Sequence, residues 1–260
     1  MPLRSVNVTR YITPLREGGS LPAITEADDE FMYVIKFRGA GQGVKALVAE
    51  LIGGEIARSL HIKIPELVFA SLDEAFGRTE PDEEIQDLLK ASRGLNLGLH
   101  YLSGAISFDP LINRPDPITA SKIVWMDALL MNVDRTPRNT NMLIWNKELW
   151  LIDHGASLYF HHSWDGWKEQ MLKPFVQIKD HVLLKFATNL NEVTDEITAT
   201  LSEKVIDNIV TEIPDEWLHQ YEVPDSPDTI RNVYREFLLT RINNAPIFIK
   251  QAINARESLI

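Results

Sequence analysis

Two carboxylates and an amide occur close together in the middle of the chain. Asp134 begins the stretch Asp134-Arg-Thr-Pro-Arg-Asn-Thr-Asn141, and Asp153 begins Asp153-His-Gly155 shortly afterwards. Amide and carboxylate oxygens are hard ligands that suit Mg²⁺, which leaves its other positions to water and phosphate oxygens. A carboxylate just ahead of such ligands can orient an acceptor hydroxyl and take its proton. The pattern predicts phosphoryl transfer, with Asn141 and Asp153 as metal ligands and Asp134 as the base.

A short hairpin is expected to bring Asn141 and Asp153 together. The apolar runs 142–145 and 149–152 are separated by Asn146-Lys-Glu148, which suits two strands joined by a tight turn. The segments on either side of this hairpin are also ordinary turn sequences when each is taken alone. Their occurrence at the two ends of one hairpin favours the catalytic interpretation.

A lysine in the first third of the chain is the candidate phosphate ligand. Lys36 lies in the β-rich run 31–37, where strand alternation places it on the face opposite Tyr33, Ile35 and Phe37. An isolated lysine of this kind is more often solvent-facing. The predicted helix that follows, residues 44–60, carries Glu50 as a counter-ion that would hold the ammonium in place. Glu55 on the same helix is the alternative, which periodicity does not exclude.

Gly18-Gly19-Ser20 is a candidate phosphate-binding turn. Glycines let backbone N–H groups approach an anion as a nest, although two glycines also fit a plain β-turn. The sequence contains neither a Gly-x-Ser-x-Gly elbow nor a Gly-x-x-x-x-Gly-Lys-Ser/Thr loop. Hydrolases of the elbow type and P-loop enzymes therefore lose support.

The composition limits the class of protein. The 260 residues carry a net charge of -11, with a pI near 5.1, and this charge disfavours direct binding of nucleic acid phosphates. The sequence has no cysteine, which fits a reducing compartment. Its N-terminus lacks the apolar core of a signal peptide, and no long apolar run is present. We expect a cytoplasmic protein without a membrane partner.

The periodicity of the chain predicts an α+β fold with two lobes. Residues 1–95 are the β-rich N-terminal lobe and residues 96–260 the mostly helical C-terminal lobe, with a nucleotide cleft between them. The expected elements begin with a glycine-containing turn at 15–22 that leads into a short strand, and the polar loop 26–30 joins this strand to the strand at 31–37. They continue with a strand at 67–70, a surface helix at 83–91, a helix from Thr119 as its N-cap to Asp134, and helices within 193–212 and 227–255.

At these positions the chain resembles the HipA-like kinases, the bacterial branch of the protein kinase and phosphoinositide kinase superfamily. The residues that carry the resemblance span about 10–160. They are Tyr33-Val-Ile-Lys36-Phe, Glu50 with Ile56 to Pro65, Asp134-Arg135 through Asn141, and Asp153-His-Gly155. The resemblance implies a two-lobed protein-kinase-like fold, use of ATP and Mg²⁺, and transfer to a Ser or Thr hydroxyl, with autophosphorylation as one outcome.

The resemblance also implies roles for single residues. Lys36 would contact the α- and β-phosphates and pair with Glu50. Asp134, followed by Arg135 in the catalytic loop, would be the base. Asn141 and Asp153 would hold the metal.

Two positions depart from the family pattern. The family's asparagine usually stands five residues after the aspartate, which is Asn139 here. We favour Asn141 as the metal ligand, because in the superfamily that the chain resembles the metal-binding asparagine directly precedes the apolar strand. His154 replaces the more usual Phe, which leaves the chelating aspartate intact.

Two other functions stay open at the level of sequence. Asp-Arg followed by Asn and a strand also resembles phosphoinositide kinases, so a lipid or a small molecule is an alternative acceptor. A pseudokinase-like module that docks another protein, through the cleft or the aromatic segment 159–167, is a second alternative. The family further allows a separately encoded regulatory partner, as in toxin–antitoxin pairs, and the protein substrate is unknown.

Overall fold

A computed structural model describes residues 2–15, 21–73, 76, 81–164, 166–221 and 226–259. The candidate turn at Gly18, Gly19 and Ser20 lies outside the described residues. The strands are β1 (Arg4–Pro14), β2 (Ala23–Ala27), β3 (Met32–Lys36), β4 (Leu67–Leu72), β5 (Gly94–His100), β6 (Ile106–Ser107), β7 (Met142–Trp145) and β8 (Glu148–Leu151). The helices are α1 (Val44–Ser59), α2 (Glu83–Ala91), α3 (Pro117–Leu130), α4 (Trp167–Met171), α5 (Leu190–Thr200), α6 (Glu203–Thr211), α7 (Asp215–Leu218), α8 (Pro227–Asn243) and α9 (Pro246–Glu257). Short 3₁₀ helices occupy Tyr159–His162, Val176–Asp180 and Leu184–Phe186.

The first five strands form a closed barrel in the order β1-β2-β3-β5-β4. The barrel closes because β1 pairs in parallel with β4, whereas the other pairs are antiparallel. Tyr33, Ile35 and Phe37 are buried in its core, while Lys36 is half-buried on the other face. The alternation predicted for this strand is confirmed.

Two barrel strands have no counterpart in the sequence analysis. β1 buries only Val6 and Val8, so its hydrophobic pattern is too weak to mark a strand. β5 contains two glycines and an asparagine, residues that strands usually avoid. Gly98 nevertheless fits, because a Cβ there would lie 2.9 Å from Val68 Cγ2. β5 ends at His100, after which the chain leaves the barrel.

α1 is buried on nearly all sides. It packs against β5 of the barrel and against α3, α6 and α7 of the helical part, so its sequence is apolar around most of its circumference. Two consecutive glycines interrupt it where neighbours come close. A Cβ on Gly53 would lie 2.6 Å from His154 Cβ, and one on Gly54 would lie 2.6 Å from Leu67 Cδ1.

α3 leads the chain towards the candidate site. It begins one turn earlier than expected, because the Asp116 carboxylate accepts hydrogen bonds from the N–H groups of Ile118 (3.0 Å) and Thr119 (3.1 Å). The prediction that Thr119 is the N-cap was wrong, since Asp116 is. The helix ends at Leu130, and Met131 follows in a left-handed conformation.

The predicted hairpin is present as β7 and β8, with β6 as a third strand. Trp145 pairs with Glu148, which leaves Asn146 and Lys147 as a two-residue turn. Both turn residues have positive φ, 50° and 66°, as a type I′ turn requires. No helix among the described residues combines the length and the apolar character needed to cross a bilayer.

Candidate active site

Lys36 is held between two carboxylates from distant parts of the chain. Its Nζ lies 2.8 Å from Glu50 Oε2 and 2.6 Å from Asp153 Oδ1. The Glu50 side chain is 1% exposed, whereas that of Asp153 is 45% exposed. The ammonium is therefore closed off on the α1 side and open towards solvent on the Asp153 side.

Their mutual attraction keeps Lys36 on β3 and Glu50 on α1 charged. Burial opposes the charged form of Lys36, but the carboxylates of Asp153 and Glu50 outweigh it and raise the pKa of the ammonium. Burial likewise opposes ionised Glu50, and the charge of Lys36 together with a hydrogen bond from His154 lowers its pKa below the ordinary value. Lys36 is thus a fixed cation at neutral pH.

The structure distinguishes the two glutamates that periodicity left open. Glu50 Oε2 accepts hydrogen bonds from both Lys36 and the His154 backbone N–H, the latter at 2.6 Å. Glu55 instead accepts from Arg58 Nε, at 3.0 Å, on the same helix. Glu50 is the partner of Lys36.

Asp134 is bound by the two asparagines that compete for the metal role. Its Oδ2 accepts hydrogen bonds from Asn139 Nδ2 at 2.8 Å and from Asn141 Nδ2 at 3.2 Å. Its backbone N–H donates to Asn132 Oδ1 at 3.1 Å, which fixes the turn after α3. Because each asparagine uses its amide nitrogen on Asp134, the amide oxygens stay available to a ligand.

The hairpin brings Asn141 next to the residue that precedes Asp153. The Ile152 N–H donates to the Asn141 carbonyl at 3.0 Å, directly beyond the last pair of the ladder, Met142 with Leu151. Asn141 and Asp153 both have left-handed backbones, with φ of 49° and 58°. Such conformations are uncommon outside glycine and concentrate at functional sites. Asn141 is buried and Asn139 is exposed, and only Asn141 is tied to the strand that leads to Asp153.

The profile of the HipA-like kinases matches residues 8–248 of this sequence. The chain belongs to the HipA-like kinase family. It is therefore a kinase, the general class of enzyme that the sequence predicted.

Solved structures agree with this HipA-like kinase in fold. The proinflammatory kinase CtkA of Helicobacter pylori is similar with a TM-score of 0.54 and 13% identity, over 98% of each chain. A Golgi casein kinase with Mn and ADP bound is similar with a TM-score of 0.50 and 11% identity, over 99% of this chain and 74% of the other. At these identities the similarity shows a shared protein-kinase-like fold. No curated protein sequence is similar enough to count as a match.

Arg135 of this HipA-like kinase lies beneath the loop 134–141 and not on its exposed side. The side chain is 1% exposed. Its Nε donates to Asp127 Oδ2 at 2.6 Å, and its Nη1 donates to the carbonyls of Asn141 at 2.5 Å and Ile152 at 3.2 Å. Arg135 thus joins α3 to the two residues at the open end of the hairpin, Asn141 before β7 and Ile152 after β8. In this position it orients the loop.

Asp127 and His181 complete this buried network, and the sequence analysis did not identify them. His181 Nδ1 accepts from the Leu183 N–H at 3.0 Å, so its Nε2 carries the proton and donates to Asp127 Oδ2 at 3.0 Å. Burial lowers the pKa of His181. Burial opposes ionised Asp127, but Arg135 and His181 lower its pKa. The sequence signal for Asp127 was its position as the single acidic residue within the apolar run of α3.

The side-chain oxygens of Asn141 and Asp153 in this HipA-like kinase fit a divalent metal ion. Asp153 Oδ1 is used by Lys36, and nothing in the described part of the chain donates to its Oδ2 or to the amide oxygen of Asn141. Two hard oxygens suit a cation that keeps most of its positions for water and phosphate. Among the described residues no group of three or more His, Cys, Asp or Glu side chains could hold a metal by itself. A metal bound here would therefore depend on ligands from the nucleotide.

Proposed function

We propose that this protein is an ATP-dependent kinase that transfers the γ-phosphate of ATP to a Ser or Thr hydroxyl of a protein, itself included. The observation that carries the proposal is the contact of Lys36 with Glu50 and Asp153, since it joins β3, α1 and the segment after β8 at one point. In this proposal the barrel and the helical part are two lobes on either side of the nucleotide, at about residues 1–95 and 96–260.

Lys36 would contact the α- and β-phosphates of ATP. Its raised pKa keeps it charged, and Glu50 holds it against the rotamer entropy of a long side chain. A cation fixed before the substrate binds costs no reorganisation during the reaction. The ammonium contacts the Asp153 carboxylate, whose side chain is 45% exposed, so a phosphate that replaces this contact would bind Lys36.

Asp134 would orient the acceptor hydroxyl and take its proton. Its Oδ2 is occupied by the amide groups of Asn139 and Asn141, which leaves Oδ1 to accept a hydrogen bond from the hydroxyl. A positioned base of this kind contributes roughly 10²–10⁴-fold to the rate.

Asn141 and Asp153 would hold Mg²⁺, with Asn139 as the alternative to Asn141. When bound, the ion would neutralise charge on the phosphates. The Golgi casein kinase structure with Mn and ADP supports the use of a divalent ion and a nucleotide by this fold.

Transfer from γ-labelled ATP in the presence of Mg²⁺ tests the function. Wild type should label itself or an added protein mixture, and Asp134→Ala and Asp153→Ala should each reduce labelling by at least about 100-fold. Asp87→Ala, which changes an exposed carboxylate on α2, is the control and should retain full labelling. Equal labelling by all four proteins would exclude the proposal. Labelling of phosphoinositide vesicles without labelling of any protein would make the acceptor a lipid.

The remaining proposals concern the setting of the reaction. We propose a separately encoded regulatory partner on the strength of the family resemblance. We also propose a cytoplasmic location, which the cysteine-free sequence supports. The net charge of -11 supports a protein acceptor over nucleic acid.

A further inference from the structure

Each residue of the segment from Asp153 to Gly155 lies against α1 or against Lys36. The Asp153 carboxylate bonds to Lys36. The backbone N–H of His154 bonds to Glu50. Gly155 faces the beginning of the helix, because a Cβ there would lie 3.7 Å from Ala46 Cβ. α1 is the surface on which this segment rests.

The closest of these contacts is between His154 and Gly53. A Cβ on Gly53 would lie 2.6 Å, 2.8 Å and 3.0 Å from Cβ, Cγ and Cδ2 of His154. The first of these atoms is attached directly to the backbone, so side-chain rotation cannot move it away. The His154 side chain is 2% exposed, and its Nδ1 lies 3.7 Å from Glu50 Oε1. Its two ring nitrogens have no hydrogen-bond partner in the described part of the chain. Packing against Gly53 and this longer contact with Glu50 therefore hold the ring in place.

Glu50 and Gly53 stand three residues apart and share one helix face. The first holds the backbone of His154 by a 2.6 Å hydrogen bond, and the second admits its side chain. Both contacts act on the residue directly after Asp153, whose backbone is already constrained to a φ of 58°. These contacts leave little freedom of movement to the backbone that carries the Asp153 carboxylate.

We propose that Gly53 and His154 are positioning residues that fix the location of the Asp153 carboxylate. They thereby determine how much a divalent cation increases the affinity for the nucleotide. The inference rests on the proposed function. Neither residue touches the substrate. A glycine in the middle of a helix has a lower helix propensity than alanine, and here it leaves the room that His154 needs.

The neighbouring Gly54 provides a matched control. Gly54→Ala makes the same change one residue along the same helix, with the same gain in helix propensity. Its Cβ would meet Leu67 Cδ1 at 2.6 Å, the end of a flexible side chain that can turn away. The two variants differ mainly in whether the Asp153 segment is displaced.

Equilibrium binding of a fluorescent ATP analogue, measured with Mn²⁺ and with EDTA, tests the proposal without requiring turnover. Wild type should bind more tightly with Mn²⁺. Gly53→Ala should lose at least about tenfold of that gain, the usual effect of disturbing groups that orient a metal ligand, and should keep its affinity in EDTA. Gly54→Ala should match wild type in both conditions. Thermal unfolding of each protein reports whether it is folded.

Each outcome bears on the proposal. A full Mn²⁺-dependent gain in Gly53→Ala would overturn it and leave the proposed function intact, as would an equal loss in both glycine variants. Absence of any gain in wild type would instead remove the metal site on which the proposed function depends, and the positioning role with it.

If Gly53→Ala does not fold, the double variant Gly53→Ala/His154→Gly decides. All three close atoms belong to the His154 side chain, so the double variant should fold and should still lack the gain. A double variant that stays unfolded, or that binds with the full gain, would overturn the proposal.

Discussion

Lys36 Nζ lies 2.6 Å from Asp153 Oδ1, although 117 positions separate the two residues in the chain. Glu50 lies 2.8 Å from the same ammonium on its buried side. Three elements, β3, α1 and the segment after β8, therefore meet at one cation. An exposed lysine and an exposed aspartate would gain little from such a contact, but the buried carboxylate of Glu50 makes this one a fixed part of the site.

Glu50→Gln should weaken both the fold and nucleotide binding. The change removes the charge that holds Lys36, and leaving a buried charged group with a neutral partner costs about 1–3 kcal/mol. Urea unfolding and ATP affinity measure the two effects. Glu55→Gln is the control, since Glu55 pairs with the half-exposed Arg58 and should leave ATP affinity unchanged. Identical ATP affinities for the two variants would argue against a role for Glu50 beside the phosphates.

Asn141→Ala and Asn139→Ala should separate the two candidate metal ligands. Asn141 is buried and tied through Ile152 to the Asp153 segment, so its loss should reduce Mn²⁺-dependent ATP binding by at least about tenfold. Asn139 is exposed and bonds only to Asp134 and its own turn, so its loss should change the rate more than the metal dependence. A greater loss of metal dependence in Asn139→Ala would reverse the assignment.

Arg135→Ala should destabilise the protein without acting on the substrate directly. The variant leaves Asp127 buried without its cation, and removing one partner of a buried ion pair costs about 3–5 kcal/mol. Arg138→Ala changes an exposed arginine in the same loop and should alter the free energy of unfolding by less than about 0.5 kcal/mol. The comparison is made by urea unfolding. A free energy for Arg135→Ala close to that of Arg138→Ala would contradict the buried clamp.

Mild acidification should destabilise the fold through its buried histidines. Burial lowers the pKa of His161 and of His181 below the ordinary 6.5, so below that pH the unfolded chain binds protons that the folded protein does not. The free energy of unfolding should therefore fall as the pH is lowered from about 7 to about 5. His161→Gln should show a smaller fall, and urea unfolding at the two pH values measures it. An unchanged pH dependence in this variant would show that His161 is not the group responsible.

Local sequence patterns predicted the parts of the site whose structure depends on residues that are neighbours in the chain. Strand alternation placed Lys36 on the outer face of β3, and two apolar runs around Asn146 and Lys147 gave the hairpin. Glu50 was favoured over Glu55 as the partner of Lys36, but periodicity alone left Glu55 open, since both lie on α1 and only the groups that each carboxylate contacts distinguish them.

Long-range contacts account for what the sequence did not reveal. β5 was hidden by its two glycines. Gly98 is explained by the close approach of Val68 on β4, whereas Gly94 has a positive φ of 89° and lies close to the side chains of Glu216 and Arg38. Asp127 was hidden in an apolar helix, and its partner His181 lies 54 residues further on. Periodicity carries no information about pairs at such separations.

A crystal structure with Mg²⁺ and a non-hydrolysable ATP analogue would show whether Lys36, Asn141 and Asp153 meet at the nucleotide. We expect a metal ion about 2.1 Å from an Asp153 carboxylate oxygen and from the Asn141 amide oxygen. We also expect Lys36 Nζ within hydrogen-bond distance of an α- or β-phosphate, and Asp134 facing the γ-phosphate. A nucleotide bound away from Lys36, or a metal ion that does not touch Asp153, would contradict this arrangement.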